Sequence, residues 1–106
     1  MARTKQAAPR NLLVDWLNRV VMFIAALAAV SLVSHVFFVL FEANPENAIV
    51  AVTRNSANVF VLWFRDLFVP ETLKLRTLIN YGIAASAWLI VGRLLVGLFR
   101  TVARDA

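Results

Sequence analysis

Two apolar stretches, residues 20–41 (VVMFIAALAAVSLVSHVFFVLF) and residues 78–99 (LINYGIAASAWLIVGRLLVGLF), leave this chain few ways to fold. Each matches the ~20 residues that a helix rising ~1.5 Å per residue needs to cross a hydrocarbon layer ~30 Å thick. A chain of 106 residues has no soluble core large enough to hide two such helices. The expected fold is an all-α membrane protein: a transmembrane helical hairpin with an amphipathic interfacial helix between the two spans. With 61% apolar residues and a mean hydropathy of +0.76, the chain is too hydrophobic for disorder and reads as one membrane unit.

Charge gives the expected orientation. Of the net +5, the excess sits at the two ends. Arg3, Lys5, Arg10 and Arg19 face only Asp15 near the start, and Arg93, Arg100 and Arg104 face only Asp105 near the end. Residues 42–77 between the spans balance Arg54, Arg65, Lys74 and Arg76 with Glu42, Glu46, Asp66 and Glu71. Basic residues flanking the spans favour the cytoplasmic side, so both termini are expected in the bacterial cytoplasm and the loop outside. Lys74 and Arg76, close to the second span, pull against that assignment. A cleaved signal peptide fits the first stretch poorly. Its apolar run exceeds the usual core, and its end, FFVLFEANP, has no small-x-small site.

Residues 1–10 read as a basic tail, explained by topology and attraction to anionic lipid rather than by nucleic acid. Residues 11–41 read as one long helix capped by Asn11, with Trp16 anchored at the inner interface. Asn44-Pro45-Glu46 marks a boundary, with Asn44 as N-cap and Pro45 in the first turn of a new helix over 45–68. Along it Ile49, Val52, Ser56, Val59, Phe60, Trp63 and Leu67 step by three or four, with Arg54, Asn55, Asn58 and Arg65 on the other side. A central arginine costs ~2.5–3.5 kcal/mol on insertion scales, so this helix is expected at the outer interface or on top of the spans. Phe60, Trp63, Phe64 and Tyr81 are the expected aromatic anchors there. A third span, with termini on opposite sides, is the alternative. Pro70 and Glu71 then open a helix over 71–104.

Small residues give the clearest candidate for a binding face. Gly82 and Ser86, with Ala84 and Ala85, form a small-xxx-small pattern in the second span, and Ala25, Ala28 and Ala29 provide one in the first. These faces either close the hairpin on itself or receive another subunit. Arg93 interrupts the second apolar run. It either snorkels to the headgroups, pairs with an acid on a partner, or lines a homo-oligomeric pore. His35, near Ser31, is a packing histidine or, on the functional reading, a proton carrier or haem ligand. Asn80 is expected as interhelical glue. The chain has no cysteine and one histidine, so thiolate or multi-histidine metal sites within one chain are not expected, nor is a cofactor. No paired carboxylates, nucleophile triad or glycine-rich phosphate loop is visible, and no enzymatic activity is expected.

Residues 41–99 resemble a group of small two-span membrane proteins of actinobacterial type. The likeness is carried by the Asn-Pro after the first span, the run Trp-Phe-Arg-Asp-Leu-Phe and the opening Asn-Tyr-Gly-Ile-Ala-Ala of the second. A fainter likeness is to the YggT family, which also separates short hydrophobic helices with an Asn-Pro-initiated amphipathic segment. This chain departs from it in having no basic, proline-rich stretch. Neither resemblance implies catalytic residues. The expected function is a non-catalytic accessory, scaffolding or assembly subunit of a larger membrane complex, contacting lipid and other membrane-protein subunits. The alternative is a homo-oligomeric channel or holin-like pore.

Overall fold

A computed structural model describes the fold of residues 8–105, with side chains described for residues 12–103. Arg3 and Lys5 of the basic tail lie outside the described residues, as do the side chains of Asn11, Arg10 and Arg104. The elements are α1 (Ala8–Leu40), α2 (Ala48–Val61), a 3-10 turn (Leu62–Asp66) and α3 (Leu73–Asp105). Both α1 and α3 run for 33 residues, and within them Leu12–Leu40 and Leu73–Ala103 are long and apolar enough to cross a membrane.

The two long helices form an antiparallel hairpin. Lys74 meets Glu42 at one end, the rings of His35 and Tyr81 lie 4.9 Å apart further along, and Gly92 meets Ala25 beyond them. The molecule measures 57 × 28 × 18 Å. Its longest dimension barely exceeds the ~50 Å length of one such helix. The connecting segment therefore cannot be stacked on top of the spans.

Local chemistry explains where each element starts and stops. α1 closes with a Schellman arrangement: the Ala43 N–H donates to the Phe38 carbonyl (2.8 Å) and the Glu42 N–H to the Val39 carbonyl (3.1 Å). Glu42 takes the left-handed position (φ 54°) that glycine more often fills. The next boundary differs from the sequence expectation. Pro45 sits inside a turn closed by the Asn47 N–H on the Asn44 carbonyl (3.1 Å), and the Asn44 side chain accepts from the Glu46 N–H (3.0 Å). Asn47, not Asn44, caps α2, its Oδ1 accepting from Ile49 and Val50.

The expected helix over 45–68 is also shorter. It breaks at Leu62 (φ 54°, ψ −133°), a conformation that costs an L-residue strain, and continues only as a 3-10 turn. Pro70 likewise precedes rather than opens the last helix. Thr72 caps α3, its Oγ1 accepting from the Leu75 N–H (3.3 Å).

The position of α2 corrects the expectation more substantially. It lies against the flank of the hairpin rather than at its top. Ala57 and Val61 are fully buried in one cluster with Ala29, Leu32, Val36, Ala84 and Ala85. The stripe expected to face the protein or the interface is largely turned out: Ile49, Val52, Val59 and Trp63 are 63–76% exposed. The polar side carries Asn58 inward instead. The whole molecule shares this pattern. Asn18, Ser31, Thr77 and Asn80 are buried, while Phe23, Val30, Ile90 and Leu94 are among the many large apolar side chains left exposed. A water-soluble fold sorts these residues the other way.

Candidate helix-packing and partner interface

Three surfaces compete for the role of functional site: the hairpin seam, the contact between the hairpin and the α2 segment, and an open face of α3. The first is the hairpin seam. Ala29, Leu32 and Val36 of α1 are buried in one cluster with Ala84 and Ala85 of α3, and Ala25 and Ala28 are buried further along α1. Alanines keep the helix axes close and leave little room for anything bulkier. The tightest approach is at Gly92, where a Cβ would stand 3.0 Å from Ala25 Cβ and 3.5 Å from Met22 Sδ. Of the residues expected to form a packing or partner face, Ala25, Ala29 and Ala85 therefore close the hairpin itself. Gly92 was not anticipated. Its spacing of seven from Ala85 puts it on the same helical face, which is the signal that would have found it.

The second surface is a set of polar contacts between the hairpin and the α2 flank. Asn80, fully buried, accepts from the Phe68 N–H (2.9 Å) and donates Nδ2 to the carbonyls of Arg65 (2.8 Å) and Phe68 (2.7 Å). One amide thus satisfies the end of the 3-10 turn, where backbone groups lack helical partners. The Tyr81 hydroxyl donates to Asn58 Oδ1 (2.8 Å), and Trp88 Nε1 donates to the Phe60 carbonyl (2.7 Å) near the end of α2. Phe60 also meets the Trp88 ring edge-on at 5.4 Å. Tyr81, expected as an interfacial anchor, is instead buried between helices. Phe60 and Phe64 pack on the core cluster, whereas Trp63 and Trp16 stand exposed. The His35 ring lies against that of Tyr81, tilted by 44°, and its Nδ1 is buried without a hydrogen-bond partner among the described residues. Asn80, expected as interhelical glue, instead ties the end of the connecting segment to α3 within one chain.

The third surface is open. Gly82 and Ser86 point away from the seam, and a Cβ at Gly82 would meet nothing within 4 Å. They floor a shallow groove with Leu78, Ile79, Ile83 and Ile90. The Ser86 hydroxyl donates back to the Gly82 carbonyl (3.0 Å), so the groove presents no unpaired side-chain donor. The small residues of the second span are thus split: Ala84 and Ala85 face inward, Gly82 and Ser86 outward. Arg93 is also exposed, beside Met22, Val96, Gly97 and Arg100.

Charge at the other end of the hairpin is simpler. Lys74 Nζ donates to Glu42 Oε2 at 2.6 Å, the one ion pair among the described residues. That hydrogen bond, with the lysine charge beside it, holds the Glu42 carboxyl below its ordinary range. No family model, curated protein or solved structure matches the chain.

Proposed function

We propose that this chain is a small integral membrane protein of the bacterial cytoplasmic membrane, crossing it twice with both termini inside. In this reading it serves as a non-catalytic accessory or scaffolding subunit that docks another membrane protein through the Gly82–Ser86 groove. Membrane insertion is supported by the two long apolar helices and by the outward sorting of apolar side chains. The α2 segment then descends beside the spans with its backbone ends satisfied by Asn80 and Trp88, the condition for irregular backbone at membrane depth.

The observation that carries the docking role is the open groove. Small residues four apart lower the surface enough for a second helix backbone to approach, and here none of the described residues occupies that space. The channel alternative is less well supported. A pore lined by Asn80 and Arg93 would lose Asn80, which is fully buried and engaged in three hydrogen bonds.

Pull-down from native membranes in mild detergent, with mass spectrometry of intact complexes, tests the reading. A stoichiometric foreign subunit lost in Gly82→Leu and Ser86→Leu is expected. A homo-oligomer alone moves the weight to the channel, and a monomer in wild type overturns both.

A further inference from the structure

At the end of the hairpin that holds the chain termini, the two helices part around a cleft of about 350 Å³, lined by Asp15, Asn18, Arg19, Met22, Val96 and Arg100. Asn18 is 6% exposed, yet neither its Oδ1 nor its Nδ2 has a hydrogen-bond partner. A buried amide left unpaired costs about 1–3 kcal/mol, which is the mark of a group that has a partner in its working state. A neighbouring cleft of about 280 Å³ shares Met22, Val96 and Arg100 and adds Arg93 and Gly97. Among the residues whose side chains are described, three arginines therefore line these two clefts against one carboxylate, Asp15, which is exposed at the rim.

We propose that this cleft binds the phosphate group of an anionic phospholipid. The proposal rests on the membrane-inserted reading above. Asn18 Nδ2 and the guanidinium groups of Arg19 and Arg100 are donors with no acceptor among the described residues, and a phosphodiester supplies acceptors. Arg93 stands about 10 Å further along α3 than Arg100, in the direction of the bilayer interior, and lines the neighbouring cleft with it. The chemistry beside the cleft suits a lipid rather than a free ion. Met22 and Val96 are apolar, and Gly97 leaves open space where any other residue would project a Cβ. An acyl chain descending from the phosphate has that channel to follow. Basic pockets between spans are an established way of holding lipid headgroups, and one arginine near a membrane surface contributes about 1 kcal/mol of attraction to anionic lipid.

The test uses the full chain, purified in non-ionic detergent and mixed with phosphatidylglycerol or with phosphatidylcholine. Native mass spectrometry then counts the lipids that stay bound. Wild type is expected to retain phosphatidylglycerol selectively. Arg19→Gln with Arg100→Gln is expected to lose it by about fivefold per arginine, and Arg65→Gln, at the other end, to leave it unchanged. Asn18→Leu fills the same space without the amide, so it is expected to keep the hairpin and lose the selectivity. Equal retention of both lipids, or retention unaffected by the double substitution, overturns the proposal. Displacement of phosphatidylglycerol by millimolar inorganic phosphate would replace the lipid by a free phosphate as the occupant. Alkaline carbonate extraction of membranes reads insertion separately. A chain that is extracted has failed the membrane reading, and one that resists extraction but shows no lipid selectivity has failed only this inference.

Discussion

Gly92 and Gly82 sit on the same helix and face different ways, and that difference makes opposite predictions for the same substitution. At Gly92 a side chain runs into Ala25 and Met22. Gly92→Leu is expected to destabilise the hairpin by about 1–3 kcal/mol, the usual cost of overpacking, read as an earlier unfolding midpoint in a denaturing-detergent titration. Gly82→Leu is expected to leave that midpoint in place and act only on association. Asn80 is the other residue whose replacement has a defined cost. Asn80→Leu strands the Phe68 N–H and the carbonyls of Arg65 and Phe68, and a loss of about 1–3 kcal/mol is expected in the same titration. At this scale the sequence was partly legible. Asn80 as a polar tie and the alanines as packing residues follow from residue type and spacing. The inward turn of Asn58 and Tyr81 does not, because a polar residue on an amphipathic helix is assigned to water unless the partner across the gap is known.

Among the elements, the two long helices are legible from composition alone, since nothing between Asn11 and Leu40 interrupts helix propensity. The connecting segment is not. Two asparagines, Asn44 and Asn47, compete to cap α2, and the turn that Pro45 favours hands the role to the second. The break at Leu62 has no sequence signal at all, because leucine is a poor residue for positive φ. The connection between α1 and α3 is clasped by Glu42 and Lys74, and its strength depends on pH in a definite sense. The carboxyl is held below its ordinary range in the fold, so its contribution is present above the unfolded-state value and disappears as pH falls through the lower folded value. Both side chains are exposed, so the effect is small. Acidification below the ordinary glutamate range is expected to lower the protection of amides at residues 42–47, measured as exchange relative to the intrinsic rate at each pH, and Glu42→Gln is expected to show the lower protection at every pH.

For the whole molecule, the depth of the α2 flank is the quantity to measure. The Trp88 contact with Phe60 lies about 21 Å along α3 from Lys74. The chain has no cysteine of its own, so single cysteines report cleanly. Val59→Cys in intact membranes is expected to resist a membrane-impermeant maleimide that labels Glu71→Cys readily. Equal labelling of both would put α2 in water and undo the inserted arrangement. The sequence placed this segment at the interface because a central arginine is costly in lipid. It had no way to show that the hairpin offers a flank against which the polar side can turn.

That flank gives the molecule unequal halves. Near Glu42 and Lys74 its cross-section is three helical segments wide, and near Asn18 and Arg100 it is two. Helices are ~10 Å across, so the halves differ by about one helix diameter. Copies of such a wedge packed side by side touch at their broad ends and splay at their narrow ones. A closed, upright ring made only of this chain would leave gaps in one leaflet, to be filled by lipid or by a second kind of subunit.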